Sequence, residues 1–532
     1  MTLPTTHEHR PAPTGPATLG SRFADALPEL AIAARGRSTP APTLVALNRS
    51  LADDLALDPD ELATDAGIRF LTGQDVPPGA TPVAQVYAGH QWGAFRPRLG
   101  DGRALLLGEL AHRDGTVRDL HLKGTGPTEM SRGNDGFAAV GPMLREYVFG
   151  EAMHALGVPT TRALAVIGTG ATIHRDTPVP DSELPGAVLA RVARSHLRVG
   201  TFEYVHALGD NALLRRTADH AVATLYPHVA GSADPYRSLL TEIVAAHARL
   251  TAAWMSLGFV HGVMSTDNTT ISGETIDYGP CAFLDGYDPN VWFSSIDRYG
   301  RYAYGEQPPI AAWNLARLGD ALAPLLGDDE TAGRAVAAEV VAGFEPAYRD
   351  ERRHAFRAKL GLSRGVPDAV VDDLTERFLA LLAGARVDFT GAFRALAAAA
   401  EGDESALRGR FTRAQDDDGT SDAFGDGPAG ASAAGGTADP EPSATQRALD
   451  AWLHEWRANA PDAATIRRTN PVYIPRNHVV ESALDQASSG DLTAVTRLVA
   501  AVTSPFTERG GLEDLAEPAP AGSPAHRTFC GT

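Results

Sequence analysis

The sequence is poor in cysteine, in positive charge and in long apolar runs. Its cysteines are Cys281 and Cys530 alone, too few for a disulfide scaffold or a cysteine-based zinc site. No stretch approaches eighteen consecutive apolar residues, so no transmembrane helix is expected. The amino terminus, MTLPTTHEHRPAPTGPATLG, lacks the basic-then-apolar pattern of a secretory signal. Lys and Arg number 47 against 66 Asp and Glu, a formal net charge of −19. A generic grip on nucleic acid or an anionic membrane is therefore not expected, and an anionic ligand would need a few placed cations. No Walker A run occurs. The stretch IGTGAT at 167–172 puts Ile173 where the third glycine of a dinucleotide fingerprint belongs. A soluble protein of a reducing cytoplasm is expected.

What is present suits a large folded chain. With 532 residues and 43% apolar side chains, it can bury one large core or two to three ordinary ones. ALLLGEL and VRDLHLKG read as strands joined by a turn at Arg113-Asp114-Gly115. A helix from about Gly141 to Leu156, apolar nearly all round, is expected to be covered on both sides. TRALAVIGTG and GAVLARVARS read as strands, and helical patterns dominate beyond them. Strands early and helices late argue for an α+β fold of two lobes, and the order of the motifs below makes it protein-kinase-like. The expected division is a loose tail over 1–20, a strand-rich lobe over 21–210 and a helical lobe over 211–410. A disordered acidic and glycine-rich insertion follows over 411–446, then a helical extension and tail over 447–532. Residues up to about Asp60 read as an irregular lead-in.

Several motifs carry chemistry in combination. The turn Gly100-Asp101-Gly102-Arg103 lets backbone N–H groups approach phosphate oxygens, though alone it reads equally as a hairpin turn. Lys123 ends the next strand, and a helix with Glu146 and Glu151 follows. That is the order of a kinase lysine and its orienting glutamate, with the choice between the two glutamates open. RVARSHLRVG gathers Arg191, Arg194, His196 and Arg198 into a candidate phosphate clamp. The stretch 260–279 holds His261, Asn268 and Asp277-Tyr278-Gly279, matching the spacing of a kinase catalytic loop and metal aspartate across an intervening hairpin. Val263 falls on the base position and cannot accept a proton; Asp267 is the nearest substitute. Cys281 and Cys530 are read either as unrelated thiols or as a redox bond tethering the tail.

These blocks resemble a known family. YAGHQWGAFRPRLGDGRALLLGE, LKGTGPTEMSRGNDG, LREYVFGEAMHALGVPTTRAL, RVARSHLRVGTFEY, HGVMSTDNTTISGETIDYGPCAFLD, WNLARLGDAL and NPVYIPRNHVVESAL are together similar to the selenoprotein O (SelO, YdiU-like) family. The resemblance implies a pseudokinase fold that binds ATP in a flipped orientation. It implies transfer of AMP to Ser, Thr or Tyr hydroxyls of proteins, the chain itself among them, with Mg²⁺ or Mn²⁺. Carried over by motif, Gly100, Gly102, Arg103, Lys123, Asp135, Gly136, Arg191, Arg198 and Asp277 would contact the nucleotide. Asp267 would be the general base, Asn268 and Asp277 the metal ligands, and Glu146 the partner of Lys123. Ser265, Thr266 and the pair Glu129-Met130 depart from the family pattern. The rival readings are a conventional kinase moving the γ-phosphate, with Asp267 as base, and an inactive nucleotide-binding scaffold.

Overall fold

The computed structural model describes residues 17–175, 182–418, 443–520 and 522–528. Most of the expected N-terminal tail, the centre of the expected insertion at 419–442, and Cys530 lie outside them. Among the described residues the main sheet has eight strands. Its order is Ala31–Ala33, Val83–Gln85, Ala104–Ala111, Val117–Lys123, Ser182–Ala193, Arg162–Arg175, Thr43–Leu47, and the short Ala138–Ala139 pairs with Ser182–Ala193. The neighbouring strands run antiparallel. From 199 onward the chain is helical, apart from Phe259–Val260 paired with Ala282–Phe283. The mixed α+β architecture follows the expected order of strands before helices.

Side chains alternate across the sheet, and both faces are covered, which explains the unbroken apolar run ALLLGEL. Leu106, Ala163, Val166, Ala187 and Leu189 join the large core beneath the helix Val140–Ala155. Leu105, Leu107, Leu122, Leu164, Ile167 and Val188 pack on the other face against Leu51, Phe70 and Leu71. The lead-in is therefore more ordered than its sequence suggests. Thr43–Leu47 is an edge strand and 49–71 supplies three short helices that cap that face.

The helix Val140–Ala155 is buried on nearly every side, as expected. The sheet covers one side, and the helices Asn477–Ser488 and Thr493–Val502 pack against another. The C-terminal extension thus returns to the strand-rich part of the chain. Leu156 and then Gly157, with φ +81°, end the helix where a left-handed residue is needed. The helix Ser405–Asp418 runs through 411, where the insertion is expected to begin. Among the described residues no helix is long and apolar enough to cross a membrane.

Candidate active site

Strand register brings the first cations together. Lys123 lies opposite Leu189 and His121 opposite Arg191. Lys123 and Arg191 are therefore diagonal neighbours on one face of the sheet, within reach of a common partner. Asp277 is that partner: its Oδ1 accepts from Lys123 Nζ at 2.7 Å and from Arg191 Nη1 at 2.7 Å. Lys123 also donates to Glu146 Oε1, and Arg191 stands 3.7 Å from Glu146 Oε2. Glu151 is turned elsewhere, taking Arg162 in a two-point bond of 3.0 and 2.7 Å. The glutamate left open by sequence is thus settled as to contact: Glu146 meets Lys123.

Asp277 has φ +62°, a conformation that non-glycine residues adopt at a cost of roughly 1–2 kcal/mol. Its two ionic bonds hold it there. Burial alone would raise its carboxyl, but Lys123, Arg191 and Arg198 hold it well below the ordinary aspartate range. The following residues are fastened from the helix. Arg145 donates to Gly279 O at 2.9 Å, to Cys281 O at 2.5 Å and to Glu481 at 2.7 Å. Cys281 is buried, which pushes its thiol up to about 12, and Cys530, its partner in the redox alternative, lies outside the described residues.

The segment between Asn268 and Asp277 differs from the expected hairpin. Its two arms do not pair with each other: Thr270 bridges to Arg198 and Thr275 to Thr160. Polar side chains fill the turn instead, with Thr270 Oγ1 bonding both backbone groups of Glu274. The turn is thus closed by side chains, while its arms bridge outward to Arg198 and Thr160. Val263 is half-buried, and His261 is locked structurally by Nε2 on Ile276 O at 2.8 Å.

Asp267 is buried and faces the hairpin made by Gly89–Gln91 and Ala94–Arg96. Its Oδ2 accepts from Gln91 Nε2 at 3.0 Å. Its Oδ1 and the Ser265 Oγ are both buried without a hydrogen-bond partner. Burial raises this carboxyl above the ordinary aspartate value, against weaker lowering by Ser265, Gln91 and Arg198. Asn268, half-buried, donates Nδ2 to Val263 O at 3.3 Å. Arg198 donates to the Asp267 carbonyl at 3.3 Å, stacks 4.3 Å above Tyr87 and lies 3.7 Å from Asp101.

The glycine turn is anchored by the residue between its glycines. Asp101 is buried and accepts from Gln85 N–H at 3.0 Å and from Tyr87 Oη at 3.2 Å. It is also 3.0 Å from His121 Nε2, and Arg191 donates to His121 Nδ1 at 3.4 Å. Burial keeps His121 below its ordinary value, so the ring is neutral, carrying its proton on Nε2 toward Asp101. His196 stacks on it at 4.3 Å. Gly100 has φ +68°, and a Cβ there would strike Met130. The backbone of Gly102 is held by Ser131 Oγ. Arg103 is half-buried and forms no ion pair among the described residues. Gly136, with φ +73°, crosses so close to Gly126 that a Cβ would lie 2.2 Å away. Asp135 is exposed, outside the buried ionic cluster, and caps Phe137 N–H at 3.0 Å.

The structure therefore unites Lys123, Glu146, Arg191 and Asp277, with Arg198 and Asp267 adjoining. It adds His121 and Gln91, which no linear motif signalled, and gives contacts to Asp101 and His196, which stood in the glycine turn and the arginine run. Asn268 and Asp277 offer an amide and a carboxylate oxygen, the hard donors that Mg²⁺ or Mn²⁺ prefers. The unpartnered Asp267 Oδ1 adds a further buried oxygen beside them. Among the described residues no group of three or more His, Cys, Asp or Glu is arranged as a metal cage, consistent with an ion shared with a phosphate ligand. Lys123, Arg191 and Arg198 thus bring three buried cations together around Asp277 and Asp267.

Comparison with known proteins gives this arrangement a family. The model of the family described as protein adenylyltransferase SelO matches residues 17–503. A protein nucleotidyltransferase YdiU of Mycobacterium sp. (strain KMS) is 52% identical over 515 residues, covering 97% of this chain and 99% of that protein. Proteins of the same name from Pseudarthrobacter chlorophenolicus and Cereibacter sphaeroides are 50% and 51% identical, over 97% and 93% of this chain and 98% and 95% of their own lengths. The chain belongs to the SelO family of protein adenylyltransferases.

Proposed function

We propose that the protein transfers AMP from ATP to Ser, Thr or Tyr hydroxyls of proteins, its own chain included. ATP lies flipped relative to a kinase, between a strand-rich lobe (21–210) and a helical lobe (211–410) of a kinase-like fold in a cytoplasmic protein. One observation carries this reading. Lys123 and Arg191 both bond Asp277, and Arg198, which donates to the Asp267 backbone carbonyl, sets a third cation beside a carboxyl that burial raises. Val263 occupies the place of a kinase base.

In this reading the hydroxyl oxygen of the acceptor attacks the α-phosphorus. The bond from that phosphorus to the bridging oxygen breaks, and pyrophosphate leaves toward Lys123, Arg191 and Arg198. The hydroxyl proton passes to Asp267, whose unpartnered Oδ1 is the free acceptor. A carboxylate raised above its ordinary value is a stronger base than a solvated one. Glu146 keeps Lys123 oriented, and the fixed cations need no rearrangement as charge develops on the leaving group. Gly100, Gly102 and Arg103 line the turn beside the nucleotide, with Asp135 and Gly136 in the loop above it. Asn268 and Asp277 would hold Mg²⁺ or Mn²⁺, which neutralises phosphate charge when bound.

ATP labelled on either the α- or the γ-phosphate tests the reading. Label retained on protein only from the α position supports adenylylation. Retention only from the γ position means a kinase, and retention from neither means a binding scaffold.

A further inference from the structure

We propose that the hairpin 89–96 and the loop 295–301 form a docking strip that selects protein acceptors whose hydroxyl is flanked by acidic side chains. The inference rests on Asp267 being the group that meets the hydroxyl. The hairpin sits directly over it. A Cβ on Gly89 would lie 2.9 Å from Asp267 Oδ1, and His90 N–H donates to Thr266 Oγ1 at 2.6 Å. Gln91 Nε2, on Asp267 Oδ2, holds the kind of position that an incoming hydroxyl donor must take.

The tip of this hairpin is built against backbone preference. Trp92 and Gly93 have φ +55° and +78°, a two-residue turn whose first position favours Asn, Asp or Gly. Trp92 is held there by its N–H on Tyr302 Oη at 3.3 Å and by ring contact with Tyr302 at 4.8 Å. A bulky residue retained in this conformation at an exposed tip points to use rather than folding. The chain has five exposed large apolar side chains among the described residues, and four are in these two segments: Trp92, Phe95, Ile296 and Tyr299. Tyr299 is 93% exposed.

Charge identifies the partner. Arg96 and Arg298 are exposed, Arg301 is half-buried, and none of the three forms an ion pair among the described residues. The loop's own carboxylate is turned inward, where Asp297 accepts from the N–H groups of Tyr299, Arg301 and Tyr302. Arg301 lies over the Tyr302 and Trp313 rings, so a strip of arginine without carboxylate partners and of aromatic side chains stands out on a chain of net charge −19. Arginine with aromatics is the usual composition of protein-binding hot spots, and its complement is an acidic segment.

Two peptides with the same acceptor hydroxyl, one flanked by Asp and Glu and the other by Lys, test the strip on the full chain with α-labelled ATP. The acidic peptide should have a kcat/KM about tenfold higher at low ionic strength, the advantage shrinking with added salt. The double variant Arg96→Glu, Arg298→Glu should invert the preference. Trp92→Gly, which relieves the backbone, should raise KM for both peptides while keeping kcat. ATP affinity measured by calorimetry needs no acceptor and should be unchanged in every variant. Equal kcat/KM for the two peptides, or binding of single-stranded RNA in place of the acidic peptide, overturns the docking strip and leaves the transferase reading standing. A wild-type chain that transfers no α label to any protein overturns both.

Discussion

Asp267 and Asp277 lie on one loop, yet their surroundings drive them in opposite directions. Asp277 is half-buried among cations, takes bonds from Lys123 and Arg191, and is held well below the ordinary aspartate value. Asp267 is more deeply buried, has an amide from Gln91 on one oxygen and no partner on the other, and is raised. One environment fixes a negative charge; the other makes a charge expensive and a proton welcome. Paired carboxyls pushed apart in this way divide the labour of a site, one for electrostatics and one for proton transfer. Under the proposed function the same residue type serves two tasks because one is paired by the sheet and the other is covered by a hairpin.

The largest effects should come from making the two sites alike. Asp277→Asn removes the counter-charge of two buried cations. Transfer of α label should fall about 10³-fold, and stability by about 3–5 kcal/mol, read from denaturant unfolding. Asp267→Asn should lower transfer about 10²-fold with ATP affinity retained by calorimetry. Its unfolding should show unchanged or increased stability, since a poorly partnered carboxylate is removed. Equal destabilisation by the two variants would break the comparison.

Acidity sharpens it. Asp277 is held below the ordinary value of 3.8. The stability it adds is therefore complete above pH 3.8 and is lost as the pH falls through its folded value. Asp267 is held above 3.8. Its contribution is complete below pH 3.8 and is lost as the pH rises through its folded value. In chelator, the deficit of Asp277→Asn should persist from neutrality down to pH 3.8 and fade only below it. Any gain from Asp267→Asn should be largest near neutrality and vanish toward pH 3.8. Thermal unfolding across that range reads both.

A smaller effect separates the arginines. The sequence alone suggests that Arg191→Ala and Arg198→Ala weaken nucleotide use far more than folding. The structure revises this for Arg191, which is buried on the sheet and shares Asp277 with Lys123. Arg191→Ala should lower both ATP affinity and stability. Arg198→Lys keeps the charge but loses the planar stacking on Tyr87, so a several-fold weaker ATP affinity, roughly 1 kcal/mol, is expected with little change in unfolding.

How much of this was legible in sequence depends on where each signal is stored. Lys123, Asn268 and Asp277 stand in linear motifs at strand ends and loops, so their order alone pointed to them. The strands around Lys123 and Arg191 were legible from apolar runs bounded by turns. His121 and Gln91 were not, and Asp101 stood in the glycine turn without a partner, because their meaning lies in pairing across the fold: Gln91 meets Asp267 only once the hairpin folds over the loop. Thr43–Leu47 was missed because an edge strand, mostly half-buried, carries little apolar signal. The stretch between Asn268 and Asp277 resembled a hairpin because turn residues mark a reversal without naming the strands that each arm will join.

The smallest expected effect distinguishes the two glutamates that sequence left level. Both are buried on the helix Val140–Ala155, but they lie five positions apart, so a helix of 3.6 residues per turn aims them at different neighbours. Glu146 holds Lys123 and approaches Arg191, whereas Glu151 holds Arg162 beside Asp54. Glu146→Gln should reduce kcat/KM for ATP about tenfold, because a neutral amide no longer fixes the lysine in place. Glu151→Gln should leave kcat/KM unchanged and weaken the fold by about 1–2 kcal/mol, since Arg162 loses a two-point ionic bond. A loss of ATP use in Glu151→Gln matching that in Glu146→Gln would mean that the helix acts as one rigid unit on the site, and that pairing with Lys123 is not what matters.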